Sequence, residues 1–259
     1  MTTKKTSNMG HVLLWFGAAV SIAEILTGAL LAPLGFSKAM LAIILGHLIG
    51  CALLYAAGLI GAKTGLPAME SGRIAFGTHG SFFFSILNVL QLVGWTAVMI
   101  IGGAKAAAVV AGRFSSLGST YLWCAVIGIL IIIWILVGIK NLSKVNIFAV
   151  GALLILSVAT GFVVFRGGSA PVLSDTLSFG AALELAIAMP LSWLPLIADY
   201  TSSARRPHLA TGVSVGAYFV GSCLMYVIGL GAALFSGTSD IAEILVAAGL
   251  PVIAMIIVI

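Results

Sequence analysis

Trp15-Phe-Gly-Ala-Ala-Val-Ser-Ile-Ala-Glu24-Ile-Leu-Thr-Gly28 is the stretch on which the fold turns. It belongs to a long apolar run, and Glu24 stands near the middle of that run. A carboxylate at such a depth in a membrane costs at least ~3 kcal/mol even on the lenient insertion scale, so it faces a cavity, a partner or a substrate. Gly17, Ser21, Glu24 and Gly28 fall at i, i+4, i+7 and i+11, which makes one narrow polar stripe along a helix. A lipid-facing helix has no use for that stripe, whereas a helix lining a translocation path does.

The rest of the chain agrees with a membrane setting. It is 61% hydrophobic and 7% charged, against the ~25% charged content of soluble domains. Apolar runs long enough to cross a ~30 Å hydrocarbon core are read near 12–35, 39–62, 82–110, 121–139, 145–165, 179–200 and 210–235, and an eighth starts near Pro251. Backbone groups in lipid must pair internally, and these runs lack the period-two alternation of barrel strands, so they are helices. The fold class is therefore an all-α polytopic membrane protein, with residues 1–11 as a cytoplasmic tail. The first run is not a signal peptide: it is too long and carries Glu24 inside it. Cys51, Cys124 and Cys223 have no metal or redox spacing and read as small packing residues. No metal site is expected.

The basic residues give an orientation. With the N-terminus cytoplasmic, Lys4, Lys5, Lys63, Arg73, Lys140, Lys144, Arg205 and Arg206 are inside, and only Lys38, Arg113 and Arg166 lie in outward loops. The net charge of +5 is thus a topology signal and implies no nucleic-acid partner. The expected location is the cell (inner) membrane.

Two spans look discontinuous. Ser21-Ile-Ala-Glu24 interrupts the first, and Met189-Pro-Leu-Ser-Trp-Leu-Pro195 places two prolines in the sixth. Each proline removes a donor and crowds the preceding turn. Broken helices in these positions mark inverted-repeat transporters; a simple proline kink is the other reading. In the third span Asn88, Gln91, Trp95, Met99 and Gly102 share one face. An aromatic plate flanked by amides suits a flat heterocycle, and it equally suits interhelical bonding. His47 reads as a packed, hydrogen-bonded histidine or a proton relay, and Asp199 as an anchor, a gate or a site beside Arg205 and Arg206.

Gly65-Leu-Pro-Ala-Met-Glu-Ser-Gly-Arg73-Ile-Ala-Phe76-Gly77-Thr-His-Gly80-Ser81 resembles the cytoplasmic loop of the nucleobase:cation symporter-1 family (purine-cytosine permease-like). Ala198-Asp199-Tyr200 looks like that family's Ala-Asp-aromatic signature, and Trp15-Phe16-Gly17 matches the opening of its first helix. Ser21-Ile-Ala-Glu-Ile-Leu-Thr-Gly28 is most similar to the branch of hydroxymethylpyrimidine transporters of the thiamine pathway. The resemblance implies a five-plus-five inverted-repeat fold, with residues 12–165 as the first repeat and 179–259 as part of the second. It implies that backbone carbonyls of Gly17 and Val20 contribute to a sodium site and that Ser21 contacts substrate. Trp95 falls on the residue that stacks on the substrate ring, and Met99 on a position that is an amide in hydantoin-transporting members. The family's second aromatic falls on Pro190, which leaves Trp193, one turn on, as its replacement.

The function expected is uptake of a small pyrimidine, such as hydroxymethylpyrimidine or cytosine, coupled to sodium or protons, with no cofactor. Ser21, Glu24, Gln91, Trp95, Met99 and Trp193 are the expected substrate residues. Glu24 would accept hydrogen bonds from an exocyclic amine and ring N–H, or carry the coupling proton. The family's eighth helix supplies sodium ligands, and this sequence stops early in that helix, so the chain is expected to be an incomplete fragment that does not transport alone. The alternatives are a non-transporting remnant or an amino-acid or polyamine transporter of the same architecture. An enzyme is not expected: the chain has no His-Glu-x-x-His helix or comparable constellation at membrane depth.

Overall fold

The structure, a computed structural model, describes residues 7–114, 117–137 and 176–236, with isolated positions between 151 and 161. Every regular element among them is helical. In chain order these are α1 (Asn8–Ala19), α2 (Ile22–Leu30), a short 3-10 turn (Ala32–Leu34), α3 (Phe36–Thr64), α4 (Ala68–Phe114), α5 (Thr120–Val137), α6 (Phe179–Ser192), α7 (Ile197–Thr201) and α8 (Pro207–Ser236). Among the described residues Phe36–Thr64, Ala68–Val109 and Pro207–Phe235 are each long and apolar enough to cross a membrane, and α1 with α2 makes a broken fourth span. The span expected near 145–165 is described only at isolated positions, and the one beginning near Pro251 lies outside the described residues.

The chain divides into two compact units. The first takes in residues up to Val20, Ser37–Leu92 and Thr176–Met225; the second takes in Ser21–Phe36, Val93–Asp175 and residues from Tyr226 onward. Each unit draws on both the 12–165 and the 179–259 stretches, so the units are compact bodies rather than repeats.

In the first unit, glycines on α3 let other helices come close. A methyl group placed on Gly46 would run into Ala186 of α6, and one on Gly61 into Ala198 of α7. At Gly50 it would lie 2.7 Å from Pro190, and at Gly58 2.9 Å from both Ile197 and Thr211. Lipid offers no hydrophobic drive for helix association, so close backbone packing of this kind holds helices together. Thr201 adds a buried hydrogen bond, its hydroxyl donating to the Gly58 carbonyl at 2.7 Å. The opposite face of α3 carries Leu41, Ile44, Leu45 and Leu48, all exposed. In water such a face would be an aggregation liability; in a bilayer it is the lipid surface. The second unit repeats the device, because a side chain on Gly28 would strike the Tyr226 backbone and one on Gly229 the Ile25 carbonyl.

The segment expected as a cytoplasmic loop is helical instead. α4 already begins at Ala68 and runs to Phe76, and Gly77 then breaks the backbone with φ 65° and ψ −174° before the helix resumes. That conformation is almost confined to glycine. Gly80 is forced by another contact, since a Cβ there would sit 2.6 Å from that of Phe76. The Phe-Gly-x-x-Gly pattern is therefore a bend between two helical pieces, a signal that reads as loop when only its glycines are weighed.

Candidate functional site

The first-span break lies where the sequence placed it. α1 ends at Ala19, Val20 and Ser21 leave helical geometry, and α2 starts at Ile22. Val20 N–H closes the last bond of α1, onto the Phe16 carbonyl at 3.1 Å. The carbonyls of Gly17, Ala18 and Ala19 thus lie beyond the helix's own donors, as in any helix C-terminus. Such oxygens are hard ligands at the negative end of a helix dipole, and they fit an alkali cation. In the second unit, Ser21 caps α2 by accepting a hydrogen bond from Glu24 N–H at 3.3 Å. Glu24 is 1% exposed and occupies the first turn of α2, where a carboxylate is favoured by the helix dipole.

The sixth-span break lies in the C-terminal half of the stretch marked in the sequence. Pro190 is accommodated inside α6, and the helix gives way only after Ser192. Beyond it the backbone tightens into i→i+3 bonds: Trp193 N–H to Pro190 O, Leu194 N–H to Leu191 O, and Leu196 N–H to Trp193 O. The missing member of that series is the bond from residue 195 to Ser192 O, because Pro195 has no N–H. Gln91 of α4 fills the vacancy, its Nε2 donating to Ser192 O at 2.8 Å. Gln91 was expected from the sequence to contact substrate; its amide nitrogen is engaged in holding open the unwound turn.

Trp193, in that turn, packs edge-on against Trp15 at 5.5 Å between ring centroids and lies near Tyr218 at 6.3 Å. Trp15 also meets Tyr200 and Tyr218 edge-on at 5.6 and 6.1 Å. Trp15 is fully buried, and with Tyr218 and Trp193 it makes an aromatic cluster in the core of the first unit, with Tyr200 at its edge; Trp193, expected to contact substrate, packs in this cluster. Trp95 and Met99 lie one turn apart on α4 in the second unit. Trp95 is half-buried, and Met99 is 46% exposed. Among the expected residues, the structure thus brings Gln91 to the turn bearing Trp193, and Ser21 to Glu24.

Two further polar residues find structural partners. Asp199 accepts a hydrogen bond from Ala68 N–H at 2.7 Å. Pro67, just before that helix start, has no side-chain acceptor, so the cap comes from 131 positions away in sequence. His47 is buried, with Nδ1–H donating to Ile43 O at 2.9 Å and Nε2 paired with Ser222 Oγ at 2.6 Å. It ties α3 to α8.

Residues 2–257 match the family described as permeases for cytosine/purines, uracil, thiamine and allantoin. The chain belongs to this family. The cytosine permease of Escherichia coli K12 is 30% identical over 236 residues, covering 89% of this chain and 55% of that protein. The purine-cytosine permease of Saccharomyces cerevisiae is 27% identical over 201 residues, covering 73% of this chain and 37% of that protein. The chain thus spans about half the length, or less, of the curated relatives it matches. Among solved structures it is similar to Mhp1, a nucleobase-cation-symport-1 family transporter, in a closed conformation with bromovinylhydantoin bound. The TM-score is 0.77 at 18% identity, over 98% of this chain and 63% of that one. An inward-facing Mhp1 structure gives 0.78 at 19% identity. The permease family is one of transporters, not enzymes, and the all-helical membrane fold read from the sequence is that of Mhp1.

Proposed function

We propose that this permease-family chain serves cation-coupled uptake of a small pyrimidine, hydroxymethylpyrimidine or a nucleobase such as cytosine, across the cell (inner) membrane, with its N-terminus cytoplasmic. The observation that carries the reading is Glu24: a buried carboxylate in the first turn of a helix that begins at a break in an apolar span. A carboxylate only accepts hydrogen bonds when ionised, so it selects a ring bearing an amine or N–H groups. Ser21 and Glu24 then read the ring's edge, while Trp95, with Met99 one turn on, offers it a face. Gln91 and Trp193 act at the sixth-span turn, and the carbonyls of Gly17 and Val20 offer oxygens to sodium. The alternative coupling ion is a proton carried by Glu24. Membership of the nucleobase permease family favours this reading over an amino-acid or polyamine transporter, whose substrate carboxylate Glu24 would repel.

The test is uptake of labelled cytosine and of aminohydroxymethylpyrimidine by cells expressing the protein. Accumulation that collapses with the sodium or the proton gradient supports the proposal. Uptake of neither compound, with the protein present in the membrane, rejects it.

A further inference from the structure

The first unit carries a half-open cavity of about 600 Å³ whose wall includes none of the expected substrate residues except Gln91. It lies within the range of small-molecule pockets, large enough for a flat heterocycle with accompanying water. Most of the wall is apolar and comes from α3, from both pieces of α4 and from the turn after α6. Phe76 and Phe84 form an aromatic corner, with ring centroids 4.5 Å apart and planes tilted by 47°.

One polar atom of this wall is unsatisfied. Asn88 Oδ1 is buried and has no hydrogen-bond partner. A buried acceptor left in that state costs about 1–3 kcal/mol, so it calls for a donor. The wall's own hydroxyls are spent. Ser71 donates its hydroxyl hydrogen to Ala68 O at 2.8 Å, and Ser81 donates its own to Met69 O at 2.6 Å. The Gln91 amide is turned to Ser192 O. Asn88 lies one helical turn from Phe84 on the same face of α4, which puts an acceptor beside an aromatic surface.

We infer that this cavity is a second binding site, for a flat heteroaromatic molecule that carries an N–H or amine donor. Asn88 Oδ1, sealed just behind the wall, accepts from that donor once its side chain turns toward the cavity, and the Phe76–Phe84 corner packs against the ring. Resting on the function proposed above, the molecule is the transported pyrimidine itself, held in transit apart from Glu24.

The test uses Ser71→Cys, which places a thiol in the cavity wall, and follows its alkylation by a small maleimide through peptide mass spectrometry. Cytosine is the probe, and N,N-dimethyluracil, with both ring N–H groups methylated, is the control without donors. The expected result is that cytosine slows alkylation and dimethyluracil does not. Asn88→Leu should raise the half-protecting cytosine concentration about three- to tenfold, the loss of one neutral hydrogen bond, and Phe84→Ala, at a half-exposed side chain, should weaken protection independently. Glu24→Gln should leave protection in place. Equal protection by dimethyluracil, or none by cytosine while the protein still binds labelled cytosine, would overturn the second site. Protection lost as fully in Glu24→Gln as in Asn88→Leu would also overturn it, because the thiol would then be reporting occupancy at Glu24. Absence of any cytosine binding by the protein would instead count against the proposed function.

Discussion

Replacing Gln91 by leucine should destabilise the turn after α6, and a second substitution should undo the damage. The side-chain bond from Gln91 Nε2 to Ser192 O is 2.8 Å long and part-buried. It supplies the donor that Pro195 lacks in a run of i→i+3 bonds. Gln91→Leu keeps the side chain's bulk and leaves the Ser192 carbonyl unpaired, which costs about 1–3 kcal/mol. For a chain of this size that corresponds to a fall in Tm of about 2–10 °C, readable by intrinsic tryptophan fluorescence in detergent. Pro195→Ala restores an N–H at the position from which Ser192 O would be bonded. In that background Gln91→Leu should lose about 1 kcal/mol less, and the double-mutant cycle isolates this coupling. Additive effects of the two substitutions would refute the idea that Gln91 stands in for the proline's missing donor.

Other substitutions test the remaining geometry. Gly46→Val should cost about 1–3 kcal/mol or more by overpacking against Ala186, seen as a drop in Tm, whereas Gly94→Ala, where a Cβ meets nothing within 4 Å, should leave Tm within a degree or two. Asp199→Ala removes the cap on Ala68 N–H and should lower local stability by about 1–2 kcal/mol; faster hydrogen exchange confined to residues 68–76 is the expected signature, and unchanged exchange would contradict the cap. Gly77→Ala places a side chain at φ 65° and should cost about 1–3 kcal/mol, so an unchanged Tm would argue against the bend.

Much of this architecture was legible because lipid simplifies the code. Long apolar runs must be helices, and both ends of α3 and the starts of α5 and α8 fall within a few residues of the hydropathy reading. The first-span break was legible too, because Ser21 and Glu24 supply a cap and an acid where an uninterrupted apolar helix would carry neither. Three features were not. Both prolines of the sixth span read alike as breakers, yet the missing bond that matters belongs to Pro195, and which of two nearby prolines yields depends on a partner from another helix. The Asp199 cap joins positions far apart in sequence, beyond any local pattern. The stretch 65–81 hid a helix because its glycines serve a bend and a close contact rather than a loop. Asn88 was visible as part of an amide stripe, but only packing shows that its oxygen is unmatched.

Selectivity at Glu24 is the most direct test of the proposed function. Equilibrium binding of labelled cytosine and uracil should be compared between the unmodified protein and Glu24→Gln, across a range of pH. A hydrogen bond to a charged acceptor is worth about 1.5–3 kcal/mol, so Glu24→Gln should weaken cytosine binding by about tenfold to a hundredfold and uracil binding far less. Equal loss for both rings would contradict recognition by Glu24, and unchanged affinities with an altered pH dependence would assign Glu24 to the coupling proton instead.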